Sequence, residues 1–454
     1  MSNYQHTSLP ADPTFFPHYF EYVNKTEPPV IFHRWCALTS LGAMLGRQFW
    51  LPFGSSELFP NLYVMLIGNP GTRKTTAVLR SKKVVAATGY EHFAAEKTTK
   101  EKFLLDLAGV EEQPFWKVKD KKTAVATALT GIDELLADAA AGGFASVKPP
   151  DPREVFIVAD EFNEFVGAGN LDFLSMLGVF WDWNEPDRPY KSRVKNSQSV
   201  EIFQPTVSIL SGNTHASFQA AFPPQAVGQG FLSRLLLIYG DKPRAKYPFP
   251  EAPSPHLTQL LTDKFNAIKE KVRGPAKIHP RAHDALSQIY MTWPEMDDHR
   301  FQYYSSRRHT HLLKLCLIFT AARCSTEITE FDVLYANSCL TYAESLMPKA
   351  LGEFGKSRDS EASTKLMQAL YDAKAPLPPD VVMRLLAHDV EGPKELQALL
   401  QKLQTANRIQ YVVGRGWLAN QRPLDSKRLY VNYKLLTEMP VELGGRGDVS
   451  QNNA

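Results

Sequence analysis

Residues 62–76 read Leu62-Tyr63-Val64-Met65-Leu66-Ile67-Gly68-Asn69-Pro70-Gly71-Thr72-Arg73-Lys74-Thr75-Thr76, and this stretch decides the fold class. The first six residues form a short apolar run, as a strand buried on both faces requires. Gly68, Pro70 and Gly71 break the run, and a helix-compatible segment follows from Lys74. Strand, glycine-bearing loop and helix in this order turn backbone N–H groups inward around phosphate oxygens. Gly68, Asn69, Pro70, Gly71, Thr72, Arg73, Lys74, Thr75 and Thr76 are therefore expected to cradle ATP. Lys74 would reach the β- and γ-phosphates, and Thr75 would offer its hydroxyl to Mg²⁺. Arg73 stands where the pattern usually has its last glycine. A helical φ is expected there, which any residue can adopt, with the side chain outward toward solvent, nucleotide or a neighbouring subunit.

Working outward, Val155–Ala159 is a second apolar run, and it ends in Asp160-Glu161. A carboxylate pair at a strand tip divides two tasks: Asp160 would hold the Mg²⁺ shell, and Glu161 would orient and deprotonate the attacking water. A third run, Thr206–Leu210, leads to Ser211-Gly212-Asn213-Thr214. Asn213 is the candidate for positioning water against the γ-phosphate; the plain alternative is an asparagine in a turn. Gly230-Phe231-Leu232-Ser233-Arg234 precedes a fourth run, Leu235–Tyr239. Arg234 is expected exposed at a subunit edge, where an arginine completes a neighbour's site.

Four such strands alternating with helices predict an α/β domain with a mainly parallel sheet. The expected organisation is a helical segment over 1–58, an ATPase core over 59–245 and a helical lid over 246–350. A polar stretch from Gly352 to Ser363 reads as a linker. Three short helices and a hairpin over 361–436 match a winged-helix module, and a polar tail over 437–454 is expected to be disordered.

The succession of phosphate loop, Asp-Glu strand tip, strand-end Asn213 and Leu232-Ser233-Arg234 resembles the AAA+ P-loop ATPases. The Leu-Ser-Arg triplet is similar to the finger motif of minichromosome-maintenance helicases, and superfamily 3 helicases share the likeness. Pro60-Asn61-Leu62-Tyr63, Arg73-Lys74 and Gly230–Arg234 resemble more closely a family of phage, prophage and plasmid replication ATPases of the primase-helicase kind, long filed as a domain of unknown function. The resemblance covers about residues 15–345. It implies a lid arginine at the start of a helix, with Arg308 favoured over Arg307; both on a solvated face is the alternative.

Between the Asp-Glu tip and Asn213, Tyr190–Ile202 reads as a hairpin whose Lys191, Arg193 and Lys195 alternate onto one face. A basic hairpin of this kind grips DNA phosphates without reading sequence; otherwise it is a solvated surface. The C-terminal module is also basic, suiting duplex DNA or a protein contact. The expected function is an ATP-driven DNA helicase or translocase, a ring and most simply a hexamer, replicating a phage or mobile element. Any primase would be a separate protein, since little chain precedes Leu62. The alternatives are an initiator or helicase-loader ATPase, and a defence or scaffold ATPase acting on protein.

The bulk numbers allow this and demand little. Hydrophobic residues are 44% and charged residues 22% of 454, and the net charge is +3. So small an excess of positive charge permits nucleic-acid binding without arguing for it. Cys36, Cys316, Cys324 and Cys339 have no CxxC spacing, so buried reduced thiols are expected rather than zinc. The most apolar helical stretch, Leu312–Ala322, is short and contains Lys314. No membrane span or export signal is expected, and the location expected is the cytoplasm (the host's, if phage-encoded).

Overall fold

The computed structural model describes residues 15–110, 152–185, 188–193, 199–222, 230–293, 296, 298–352, 358–373, 375–390, 392–405 and 408–420. Helices α1 (Phe16–Tyr22) and α2 (Val30–Leu45) open the chain. Every residue of α2 is buried, so it is a core helix rather than an amphipathic one. The chain over 1–58 is not purely helical, however. Strands β1 (Phe49–Phe53) and β2 (Ser56–Leu58) form an antiparallel hairpin turned at Gly54, which sits at φ +62°.

The central sheet begins with β3 (Tyr63–Ile67), buried at every position, followed by α3 (Lys74–Ala87). Next come α4 (Lys100–Ala108), β4 (Glu154–Ala159), α5 (Phe162–Val166) and α6 (Leu171–Trp181). A small hairpin, β5 (Tyr190–Ser192) and β6 (Val200–Ile202), precedes β7 (Thr206–Asn213), α7 (His215–Ala221) and β8 (Leu235–Tyr239). The strand order is β4-β7-β3-β8, and all three pairings are parallel. A parallel sheet covered on both faces needs strands that are apolar throughout, which is why these four runs stand out in the sequence.

Helix α8 (Pro255–Lys271) follows, then the two-residue strands β9 (Gly274–Pro275) and β10 (Lys277–Ile278). Helices α9 (Pro280–Thr292) and α10 (Gln302–Ala322), strand β11 (Glu327–Ile328) and α11 (Glu330–Leu351) complete this part. Helix α10 begins at Gln302, so Arg307 and Arg308 lie inside it, past its first turn. β9 pairs with β1, and one hydrophobic core runs from Phe15 to Leu351. The described residues of the expected segments 1–58 and 246–350 share this core with the sheet.

Residue Lys314, noticed in the sequence only as a charge in an apolar run, fastens α10 to that core. Its ammonium is fully buried, donating to Phe59 O (2.9 Å), Asn61 Oδ1 (2.6 Å) and Trp181 O (3.3 Å) and lying 4.5 Å from the Trp181 ring centroid.

Helix α12 (Arg358–Asp372) begins inside the stretch expected to be a linker. With α13 (Pro379–Leu385), α14 (Pro393–Thr405) and the hairpin β12 (Ile409–Val412)–β13 (Gly416–Ala419), it has its own core around Leu366, Leu370, Val382 and Leu399. The rest of the span to 436 and the tail over 437–454 lie outside the described residues. Cys36, Cys316 and Cys339 are buried free thiols, but Cys324 is exposed at a turn with φ +53°. No helix among the described residues is long and apolar enough to cross a membrane.

Candidate nucleotide site

The strand β3 delivers the chain into the loop at the C-terminal edge of the sheet, where ligands of open α/β sheets collect. A Cβ at Gly68 would stand 2.5 Å from Gly240 O, so close backbone approach demands glycine there. Gly71 has φ +86°, open to glycine without strain. Helix α3 starts at Lys74 with no side-chain cap and no acid in its first turn. Its first N–H groups thus keep the positive end of the helix for an anion.

Lys74 Nζ folds into the loop, donating to Gly68 O (2.7 Å), Asn69 O (3.2 Å) and Thr72 Oγ1 (3.3 Å). Desolvation lowers its pKa and the Glu161 carboxylate opposes that shift. Thr72 is buried and closes the turn onto Asn69 O through both its N–H and its hydroxyl. Asn69, Pro70 and Thr75 are exposed, and Thr76 is half-buried.

Arg73 departs from expectation in its backbone, while its side chain is exposed as expected. Its φ is +63° and ψ 31°, the left-handed region, so the position does require the conformation glycine adopts most easily. Its Nε donates to Glu27 Oε2 at 2.5 Å, which turns the guanidinium toward the N-terminal segment of its own chain. Glu27 also accepts from the Tyr247 N–H, and these two donors, Tyr247 first, hold its carboxyl below the usual range.

Asp160 ends β4 and is exposed, and Glu161 follows as the half-buried N-cap of α5. Burial pushes the Asp160 carboxyl up, and the nearby Glu96, Glu164 and Glu161 carboxylates add to it while Lys82 opposes. A local surplus of negative charge is what a hard divalent cation held by oxygen offsets. Among the described residues no group of three or more His, Cys, Asp or Glu could hold a metal.

Gly212, which the sequence reading passed over, makes the site possible. A Cβ there would lie 2.9 Å from Asp160 O and 3.2 Å from Lys74 Cβ. A bare β7 tip allows the loop lysine and the Asp160-Glu161 tip to converge over it. Only the neighbouring strand's identity could have signalled this, and that is a long-range fact.

Because alternate strand residues face opposite ways, Asn213 points away from the face on which Gly212 meets Lys74. Its side chain is fully buried, with Nδ2 3.3 Å from Met65 Sδ and Oδ1 without a hydrogen-bond partner among the described residues. Asn213, expected to position water, thus lies buried against Met65 and not on the Lys74 face. The polar group that does reach the Asp-Glu tip is Ser217, whose Oγ donates to Glu161 Oε2 at 3.2 Å.

The arginines separate into two environments. Arg234, on a 3₁₀ turn from Leu232, donates to Gly230 O (2.8 Å) and to Asp182 Oδ2 (3.3 Å), and only 14% of its side chain is exposed. It is mostly covered within its own chain, not displayed at an open edge. Burial lowers its pKa, opposed by Asp182. Arg307 donates to the same Asp182 oxygen at 3.0 Å. Arg308 instead turns into the helical layer: Nε donates to Glu344 Oε1 (2.6 Å), Nη2 to Asn337 Oδ1 (2.9 Å) and Thr341 Oγ1 (3.2 Å), and its plane lies 3.8 Å from the Trp293 centroid. Such a saturated, buried guanidinium ties α10 to α11, which corrects the lid-sensor expectation for it.

The hairpin also differs from a free basic finger. Lys191 lies opposite Glu201 and pairs with it at 2.8 Å, and Arg193 reaches the same carboxylate at 3.9 Å. Lys195 lies outside the described residues. No protein-family model matches the chain, and a search of the curated proteins finds no match.

Proposed function

We propose that the chain is an ATP hydrolase of AAA+ type that works as a ring-forming DNA helicase or translocase in replication of a phage or mobile element. The observation that carries the reading is the strand order. With β7 between β3 and β4, the loop lysine and the Asp160-Glu161 tip converge over the bare Gly212 at the end of β7. That convergence suits a γ-phosphate with its attacking water.

In this reading Lys74 and the first N–H groups of α3 bind the phosphates, and Glu161 takes the proton of the water that attacks phosphorus. Mg²⁺, held by Thr75 and Asp160, would neutralise charge on the β- and γ-oxygens. Arg234 would act in trans, leaving Asp182 for the phosphate of the adjacent subunit while Arg307 keeps that carboxylate paired. Arg193, half released from Glu201, and the basic C-terminal module would meet DNA phosphates.

One observation favours the runner-up, an initiator or loader that uses ATP as an assembly switch: the cis pairing of Arg234 and Lys191 leaves both at rest in the isolated chain. Strand displacement separates the two. The helicase reading expects ATP-dependent unwinding of forked DNA well above plain duplex, with turnover stimulated by single strands. DNA-stimulated turnover without any displacement would move the function to the switch.

A further inference from the structure

We infer that Ser217 is a positioning residue for Glu161, holding the carboxylate in the orientation a general base needs; this rests on the proposed role of Glu161. The hydrogen bonds around it run in one direction. Thr214 Oγ1 accepts the Ser217 N–H (3.1 Å), capping α7, and donates its proton to Ser217 Oγ (3.0 Å). The single hydroxyl proton of Ser217 is thereby committed to Glu161 Oε2 (3.2 Å). Glu161 caps α5 without spending its carboxylate on the helix N–H groups, so its orientation comes from outside α5.

The two helices that meet through this bond are braced against each other. Phe162, next to Glu161, stacks on Phe222 at the end of α7 (5.8 Å between centroids, 7° between planes) and on Phe231 (6.2 Å, 13°). Phe222 and Phe231 stack in turn (5.8 Å, 18°). An aromatic triad of this kind fixes the distance between α5 and α7, so the serine hydroxyl is preorganised rather than dangling.

Replacement by alanine retains the Ser217 N–H cap, so α7 should still start at His215. Ser217→Ala is expected to lose about ten-fold in kcat, the worth of one charge-assisted hydrogen bond, with KM for ATP and nucleotide affinity unchanged. Ser217→Thr keeps the hydroxyl and should restore the rate. An unchanged or faster Ser217→Ala enzyme, or equal losses in the Ala and Thr variants, overturns the assignment. Glu161→Gln, run alongside, keeps the two questions apart: if it turns over ATP normally, it is the base itself that fails.

Discussion

The phosphate loop and the arginine cluster at Asp182 are both built from charged side chains at the edge of the same sheet domain, yet they are organised differently. In the loop, Lys74 finds its partners two to six residues away, at Thr72, Asn69 and Gly68. At the cluster, Arg307 reaches a carboxylate 125 residues distant, and Arg234 one 52 residues distant. The loop's geometry is dictated by local chain conformation and survives as a contiguous motif. The cluster's geometry belongs to the tertiary fold, where one carboxylate serves two guanidinium groups and either can be released while the charge stays paired. A site of the first kind binds; a site of the second kind can change partners.

The contrast breaks most visibly at Arg234. If it is exchanged between chains, Arg234→Ala lowers turnover by ~10³–10⁵, the range of such arginines in GTPases, and leaves nucleotide binding intact. Mixing Arg234→Ala with Lys74→Ala chains should return part of the activity, since some interfaces then join an intact loop to an intact arginine. A loss below ten-fold, or mixtures as inactive as either variant, makes the Asp182 cluster a structural clamp.

Lys314 sharpens the comparison from the side of stability. Like Lys74 it donates to main-chain oxygen, but at full burial, and desolvation pushes its pKa from 10.5 down to about 7. Between those values the unfolded chain binds the proton that the folded chain gives up, so stability should rise with pH across that window, by up to about 1.4 kcal/mol per unit. Lys314→Met removes that dependence. It also leaves Phe59 O and Asn61 Oδ1 without this donor, a loss of about 1–3 kcal/mol for each. Denaturant unfolding of both proteins from pH 7 to pH 9 checks it: parallel stability curves would mean that the lysine stays charged in the fold.

These differences explain what could be read in advance. The four strands of the sheet were legible because burial on both faces leaves an uninterrupted apolar run, and the loop from Gly68 to Thr75 because its residues are contiguous between a strand and a helix. The backbone of Arg73 was misjudged, since residue type does not announce a left-handed φ and its partner Glu27 is 46 residues away. The burial of Asn213 follows from strand alternation: the face toward Lys74 carries Gly212, whose contribution is the absence of a side chain. Arg308 was read as a lid arginine or a solvated one, and its partners Glu344, Asn337 and Thr341 are 29 to 36 residues away. Ser217 carries no motif, and its role is visible only where α7 meets α5.

The central claim is that one edge of the sheet holds a phosphate-binding lysine and a separate catalytic carboxylate. Equilibrium binding of a fluorescent ATP analogue and steady-state hydrolysis, measured together on Lys74→Ala and Glu161→Gln, test it most directly. The account predicts that Lys74→Ala loses both binding and turnover, whereas Glu161→Gln binds ATP with near wild-type affinity and hydrolyses at most about a hundredth as fast, the minimum expected from losing a general base. Near-normal turnover in Glu161→Gln, or undiminished nucleotide binding in Lys74→Ala, would contradict it.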